Sequence, residues 1–268
     1  MKRTDKEVLK EAVRKRYDDI ARCCGQRPSC CCGGDTDALS KEDIFRYASQ
    51  IGYSDDQIRS VPEEANLGLG CGNPAAIASL KPGETVLDLG CGGGFDCFIA
   101  ARQVGPRGRV IGVDMTPEMV SKARKNAHSG GYKNVEFRLG EIEHLPVADA
   151  SIDVVLSNCV INLSPDKPQV FRDAHRVLKT GGRLAISDVV ATAEIPEVFH
   201  SDLSLYAGCI AGAATIQELE RMLHEIGFKD VRIEPKEESR EFIREWSSDH
   251  SVDEYIASAT IQATKVIF

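Results

Sequence analysis

The chain has 268 residues, 28% charged and 42% hydrophobic, which is enough for one large globular domain with an appendage. Its formal net charge of −8 argues against nucleic acid as the main partner, because binding to phosphates requires clustered Lys and Arg side chains. The charged N-terminus lacks the apolar core of a secretory signal, and apolar runs end before the ~18 residues of a membrane span. We therefore expect a cytoplasmic protein whose thiols stay reduced.

The first predicted elements form a helical, cysteine-rich segment over residues 1–70. An amphipathic helix is predicted over 1–20, and further helical sequence follows from 41 to 58. Between them, the stretch CCGQRPSCCC contains half of the chain's ten cysteines: Cys23, Cys24, Cys30, Cys31 and Cys32. A disulfide staple is unfavourable in a large cytoplasmic protein. A zinc site would usually show paired Cys-x2–4-Cys motifs, so zinc, an incidental loop and thiols that capture a soft ligand all remain as interpretations.

From residue 81 the pattern changes to alternating strands and helices within a predicted core of residues 71–235. The strands are expected in the runs TVLDLG, RVIGVD, VEFRLG, IDVVLSN and RLAISDVV. This alternation predicts an α/β fold, a Rossmann-like, mostly parallel sheet with helices on both faces. The helix before the fifth strand is expected to end at Gly181 as its C-cap. A later helix with a Thr215–Glu218 capping box should end at Gly227 and lead to an edge strand, followed by a C-terminal extension at 236–268.

A glycine-rich turn follows the first strand in the run VLDLGCGGG. Asp88 precedes Gly90, Gly92 and Gly94, which allow the backbone to approach a bound ligand closely. A carboxylate here would repel the pyrophosphate of a dinucleotide but suits the ammonium group of S-adenosylmethionine. Asp114, at the end of the second strand, is placed to accept hydrogen bonds from ribose hydroxyls. The predicted cofactor site also includes Cys91, Met115, Asn158 and the residues expected to flank the adenine, Glu141 and Ile142.

Over residues 81–235 these features resemble the class I S-adenosylmethionine-dependent methyltransferases. With the runs GLGCGNP, SNCVINL and YAGCIAG, nearly the whole chain resembles the arsenite methyltransferases of that class. The resemblance implies that Cys71, Cys159 and Cys209 bind trivalent arsenic, the last from an insertion around 190–215. It also implies a redox-active cysteine near the N-terminus, for which Cys32 is the favoured candidate and Cys31 and Cys30 are the next candidates. Cys91 and Cys97 are expected to be small packing residues.

Arsenic chemistry suits thiolates, because trivalent arsenic is a soft acceptor whose lone pair can attack a methyl group without a general base. Methylation leaves arsenic pentavalent, and two cysteines can return two electrons by forming a disulfide. Thioredoxin or glutathione would then reset that disulfide. Two alternatives remain: a small-molecule C-, O- or N-methyltransferase with His144, His175 or Glu143 as base, and a non-catalytic protein that binds arsenic or zinc through thiols.

Overall fold

The computed structural model describes residues 3–23, 40–200, 202–247 and 251–266. Among them, one sheet contains all the named strands: β1 Thr85–Leu89, β2 Arg109–Asp114, β3 Val135–Leu139, β4 Ile152–Asn158, β5 Leu178–Ala191, β6 Phe228–Lys236 and β7 Ile256–Lys265. The strand order is β3-β2-β1-β4-β5-β7-β6. The first five strands of this order are mutually parallel, and β7 runs antiparallel to both of its neighbours.

The helices are α1 Arg3–Cys23, α2 Lys41–Gln50, α3 Asp55–Arg59, α4 Pro74–Ile77, α5 Phe95–Val104, α6 Pro117–Ser129, α7 Lys167–Val177, α8 Glu197–His200, α9 Leu203–Ala207, α10 Ile216–Ile226 and α11 Arg240–Ile243. Neighbouring residues of β1 belong to different apolar clusters. Val86 packs with residues of α5 and α6, whereas Leu87 packs with residues of α7 and α10. Since successive side chains of a strand point to opposite faces, helices cover both faces of the sheet, which confirms the predicted fold class.

The strand order around β1 explains where a ligand can bind. β1 has β2 on one side and β4 on the other, so the chain reverses its direction of strand addition at β1. In open α/β sheets the loops diverge at such a point and leave a crevice beyond the carboxyl ends of the strands. The glycine-rich turn follows β1, and Asp114 and Asn158 end β2 and β4. The predicted cofactor residues therefore meet at this edge.

Several predictions of local structure can be compared with the described elements. The capping box of α10 is present, Gly227 adopts the left-handed conformation at its end, and β6 is an edge strand. The predicted C-cap at Gly181 is wrong, because α7 already ends at Val177 and Leu178 begins β5 in extended conformation. Leu178 is fully buried and pairs with Ile152 of β4, so packing into the sheet outweighs the local glycine signal.

The C-terminal extension contributes a strand to the interior of the sheet. β7 pairs with β5 along nine residue pairs and separates it from β6. Ile256, Ala257 and Ala259 of β7 are fully buried. This placement could not be predicted from the sequence, because the run IASATIQATK lacks a strong alternating pattern. Within the described ranges, no helix has the length and apolar character needed to cross a membrane.

Candidate active site

A cavity of about 1340 Å³ opens at the carboxyl edge of the sheet. Its walls come from the glycine-rich turn and from the ends of β2 and β4. Further walls come from α1, the loop 65–70, α9 and Trp246. Typical small-molecule sites occupy about 300–1000 Å³. This cavity is therefore large enough for a nucleoside-sized ligand together with a second, smaller one.

The glycine-rich turn borders the cavity with little side-chain material. Gly90 and Gly92 both have positive φ, and a Cβ on Gly92 would meet no atom within 4 Å, so it would project into open space. Asp88 lies beside this turn at 2% exposure, and its carboxylate accepts a hydrogen bond from the Cys97 thiol at 3.1 Å. Burial and the nearby Asp96 carboxylate raise the pKa of Asp88 well above its usual value. A cationic ligand group would relieve this unfavourable charge burial.

Asp114 is fixed in position by the backbone around it. One carboxylate oxygen accepts from Gly92 N and the other from Thr116 N, both at 2.9 Å. The side chain is buried, which raises its pKa, and these amide hydrogen bonds act in the opposite direction. Each carboxylate oxygen keeps capacity to accept a further hydrogen bond. The geometry is compatible with the predicted hydroxyl-binding role.

The other predicted cofactor residues are not equivalent in their placement. The cavity wall includes Asp88, Gly90, Cys91, Gly92, Asp114, Met115, Ile142 and Asn158. Gly94 is the N-cap residue of α5, and a Cβ there would collide with the ring of Phe98 at 2.7 Å, so this glycine serves close packing. Glu141 accepts a hydrogen bond from Lys10 of α1 at 2.7 Å and lies 3.5 Å from Arg14. An adenine contact by Glu141 remains a prediction.

Three thiols from distant segments lie close together, and two of them, Cys159 and Cys209, are in the wall of this cavity. The Sγ atoms of Cys71 and Cys159 lie within 4.8 Å of each other, and Cys209 donates its thiol to the Cys159 carbonyl oxygen at 2.9 Å. All three are free and buried, and Cys159 and Cys209 are part of the cavity wall. Hydrogen bonds of the Cys159 thiol with Cys209 and Cys71, in which Cys159 keeps its proton, act together with burial to raise the pKa of Cys159 well above its usual value. The thiols therefore form one interacting cluster.

Two of these cysteines have an unusual backbone. Cys159 has φ of 58° and Cys209 has φ of 65°, and only three other non-glycine residues in the described ranges have positive φ. This conformation costs a residue with a side chain roughly 1–3 kcal/mol and is concentrated at functional sites. Two strained cysteines whose groups are in hydrogen-bond contact indicate that the fold imposes this arrangement of thiols.

Cys71 is positioned by long-range hydrogen bonds to its peptide groups. Its N–H donates to Asn158 Oδ1 at 3.0 Å, and its carbonyl oxygen accepts from Ser258 Oγ of β7 at 2.6 Å. The Asn158 amide in turn donates to Tyr53 Oη at 2.9 Å and to Asp96 Oδ2 at 3.2 Å. Asn158 therefore connects the thiol cluster with the acidic side of the cavity, beyond the cofactor role predicted for it.

Sequence reasoning missed two buried acids near the site. Asp188 is 1% exposed, and a carboxylate oxygen lies within 4.8 Å of the Sγ atoms of both Cys71 and Cys159. Asp96 is 7% exposed and accepts a hydrogen bond from Tyr53 Oη at 2.6 Å. Both interrupt otherwise apolar runs, RLAISDVV and GFDCFIA, and a charge within a buried element was the available signal.

The remaining candidates take no part in the thiol cluster. His144 is exposed, and His175 packs edge-on against Phe228 with ring centroids 5.0 Å apart. Glu143 borders the cavity but accepts from Ser164 Oγ at 2.6 Å and lies 3.3 Å from the Lys10 ammonium. Cys97 is fully buried, as expected for a packing residue. Cys30, Cys31 and Cys32 lie outside the described residues.

Comparison with known proteins identifies the family. A methyltransferase-domain family model matches residues 80–227. An arsenite methyltransferase of Halobacterium salinarum is 54% identical over 97% of this chain and 68% of the relative. One from Aquipseudomonas alcaligenes is 45% identical over 64% of this chain, which aligns with about half of that relative, 51%.

A solved structure supports the same assignment. The arsenic(III) S-adenosylmethionine methyltransferase of Chlamydomonas reinhardtii is 34% identical, with a TM-score of 0.63. The match covers 83% of this chain and 74% of the algal one. The cavity with its thiol cluster and acidic glycine turn thus occurs in a chain that belongs to the S-adenosylmethionine-dependent arsenite methyltransferases.

Proposed function

We propose that this chain transfers methyl groups from S-adenosylmethionine to trivalent arsenic held by Cys71, Cys159 and Cys209, giving methylated arsenicals. The observation that carries the proposal is the convergence of these thiols, two of them with left-handed backbone, at a cavity that also borders the glycine-rich turn. Packing alone gives no reason for three segments to bring cysteines to one point.

The donor side of the cavity has the groups that S-adenosylmethionine requires. When bound, this cofactor supplies a methyl group made electrophilic by its sulfonium charge. The buried Asp88 would hold the ammonium group, Asp114 the ribose hydroxyls, and Ile142 would pack on the adenine. The open space at Gly92 leaves room for the cofactor against the backbone. These acids also give the cavity a negative field that favours a cationic ligand.

The acceptor side would bind arsenite by ligand exchange. Each thiol replaces one hydroxide on arsenic, and the thiol proton leaves with that hydroxide as water. Burial raises the pKa of Cys71, but this exchange consumes the proton and requires no free thiolate at the start. Three As–S bonds leave one lone pair on arsenic, which acts as the nucleophile. Burial of the cluster excludes water and restricts the approach of the lone pair.

The return of arsenic to the trivalent state requires two electrons. Two cysteine thiols supply them when they become a disulfide and release two protons. We assign this role to the N-terminal tract, with Cys32 favoured and Cys31 and Cys30 as alternatives. Thioredoxin or glutathione, in a reducing cytoplasm, would then reduce the disulfide. If the tract has this role, replacing Cys30, Cys31 and Cys32 together by serine should permit a first turnover and slow the later ones.

The decisive experiment uses the full chain with methyl-labelled S-adenosylmethionine and a thiol reductant. We expect labelled methylarsenicals with arsenite present and none in the matched reaction without arsenite. Arsenite binding without any methylated product would instead indicate a thiol protein that only sequesters the metalloid. Transfer of label to an organic acceptor, and none to arsenic, would favour a small-molecule methyltransferase.

A further inference from the structure

The mechanism above assigns no task to the carboxylate of Asp188. This residue lies in β5, is 1% exposed, and has a carboxylate oxygen within 4.8 Å of the Sγ atoms of Cys71 and Cys159. A carboxylate this deeply buried is unfavourable unless its surroundings compensate its charge. Its presence behind the thiol cluster therefore requires an explanation.

The hydrogen bonds of Asp188 hold it as an acceptor in a fixed orientation. Its Oδ2 accepts from Ile161 N at 2.9 Å, and its Oδ1 accepts from Asn162 Nδ2 at 2.9 Å and from Val189 N at 2.8 Å. All three partners are N–H donors, which match an ionised carboxylate. Lys167 is the nearby cation that favours the same charge state. The negative charge is thus in place before any substrate binds.

The proposed reaction moves a positive charge to the arsenic atom. Arsenic bound by three thiolates is neutral, and the sulfonium that carries the methyl group is positive. As the As–C bond forms, the S–C bond breaks and its electron pair stays on sulfur, which becomes neutral. The methylated arsenic therefore carries one positive charge, next to the sulfurs of Cys71 and Cys159. In a buried site this developing charge needs a fixed partner.

We propose that Asp188 is the fixed anion that stabilises the positive charge developing on arsenic during methyl transfer, an inference that rests on the proposed function. Arsenic bonded to Cys71 and Cys159 lies within a few ångströms of this carboxylate, since the sulfurs themselves are within 4.8 Å of it. The attraction is weak while the bound arsenic is neutral and strengthens as the charge arrives. Such a difference between ground state and transition state accelerates the reaction.

Asp188 also contacts the turn that follows Cys159, so a purely structural role must be separated from an electrostatic one. A structural role predicts that loss of the carboxylate misplaces Cys159 and weakens arsenite binding. The electrostatic role predicts that arsenite binding survives and that only the methyl-transfer step slows. The two roles therefore differ in a measurement that requires no turnover, which is equilibrium dialysis of arsenite against the protein.

The test is D188N, which keeps the size and planar shape of the side chain and removes its charge; one acceptor oxygen becomes an NH2 group, so the arsenite-binding measurement is needed to separate the lost hydrogen bond from the lost charge. At pH 8, above the pKa of about 6 to which burial raises this carboxyl, we expect the single-turnover methyl-transfer rate to fall about 10- to 100-fold. The dissociation constant and stoichiometry of arsenite, and KM for both substrates, should stay within about threefold of wild type. S187A is the matched control, because Ser187 is an uncharged neighbour of similar burial whose hydroxyl has no hydrogen-bond partner among the described residues.

If D188N does not fold, a second variant still tests whether the role of Asp188 is electrostatic or structural. N162A removes one tether of the carboxylate and keeps its charge, so we expect a methyl-transfer rate within about threefold of wild type. A wild-type rate in D188N, or weakened arsenite binding in either variant, would overturn the electrostatic role. Failure of the wild-type protein to methylate arsenite would overturn the proposed function itself, which is a separate result.

Discussion

The two sides of the cavity are assembled in different ways. The donor side, formed by Asp88, the glycine-rich turn and Asp114, comes from one β–α–β unit and is held by hydrogen bonds between residues close in sequence. The acceptor side, formed by Cys71, Cys159 and Cys209, comes from three segments and depends on contacts with β4 and β7. A local motif therefore defines the donor side, whereas the whole fold defines the acceptor side.

The largest expected effect is on the acceptor side. C159S replaces a soft ligand by a hard one at the residue that contacts both other thiols, and we expect methyl transfer to fall by more than about 1000-fold. Binding of S-adenosylhomocysteine, measured by calorimetry, should remain within a few-fold of wild type because the donor side is untouched. C97S, which keeps a donor for Asp88, is the control. Methylation by C159S at a rate near that of C97S would separate Cys159 from the chemistry.

The reciprocal variant affects the donor side. D114A removes the acceptor of the Gly92 and Thr116 amides and the predicted partner of the ribose hydroxyls. We expect kcat/KM for S-adenosylmethionine to fall about 100-fold, since lost hydrogen bonds to a charged group cost about 1.5–3 kcal/mol. Arsenite binding, followed by equilibrium dialysis, should stay unchanged. Loss of arsenite binding in D114A would show that the two sides are not independent.

This difference explains how much could be predicted from the sequence. The sheet, its helices and the acidic glycine turn follow local patterns, so the positions of Asp88 and Asp114 could be assigned. The cysteines of the cluster could be assigned as arsenic ligands only through resemblance to a family, because no periodicity connects Cys71 with Cys209. The roles of Asn158 as a bridge and of β7 as an internal strand depend on tertiary pairing, which overrode weak local signals.

A smaller effect tests the connection between the two sides through Asp96. Burial raises its pKa to about 6, despite hydrogen bonds from Tyr53 and Asn158. The folded state thus holds this proton more tightly than the unfolded state, where the pKa is near 3.8. The contribution of Asp96 to the free energy of unfolding is therefore full below pH ~4 and is lost as the pH rises through ~6.

D96N removes this titration. We expect the difference in free energy of unfolding, wild type minus D96N, to decrease by about 2 kcal/mol between pH 4.5 and 6.5. Urea unfolding at several pH values measures it. Carboxyl groups away from Asp96 cancel because both proteins contain them, whereas Asp88, whose pKa the Asp96 charge raises, is part of the measured difference. If the two curves of free energy of unfolding against pH stay parallel over this range, Asp96 does not titrate there. Burial of its charge beside Asn158 would then cost no stability.

The smallest expected effect concerns α1, which closes the donor side by ion pairs with the loop after β3. Lys10 lies 2.7 Å from Glu141 and 3.3 Å from Glu143, and its side chain is 15% exposed. K10M removes both pairs while keeping the aliphatic stem. We expect KM for S-adenosylmethionine to rise about threefold, because partly exposed pairs contribute about 1 kcal/mol or less. The effect should shrink in high salt.

K41M is the control for K10M, since Lys41 forms an exposed pair with Glu63 away from the cavity wall. Equal KM values for K10M and K41M would show that α1 closes the cavity by apolar packing of Val13 and Tyr17 instead.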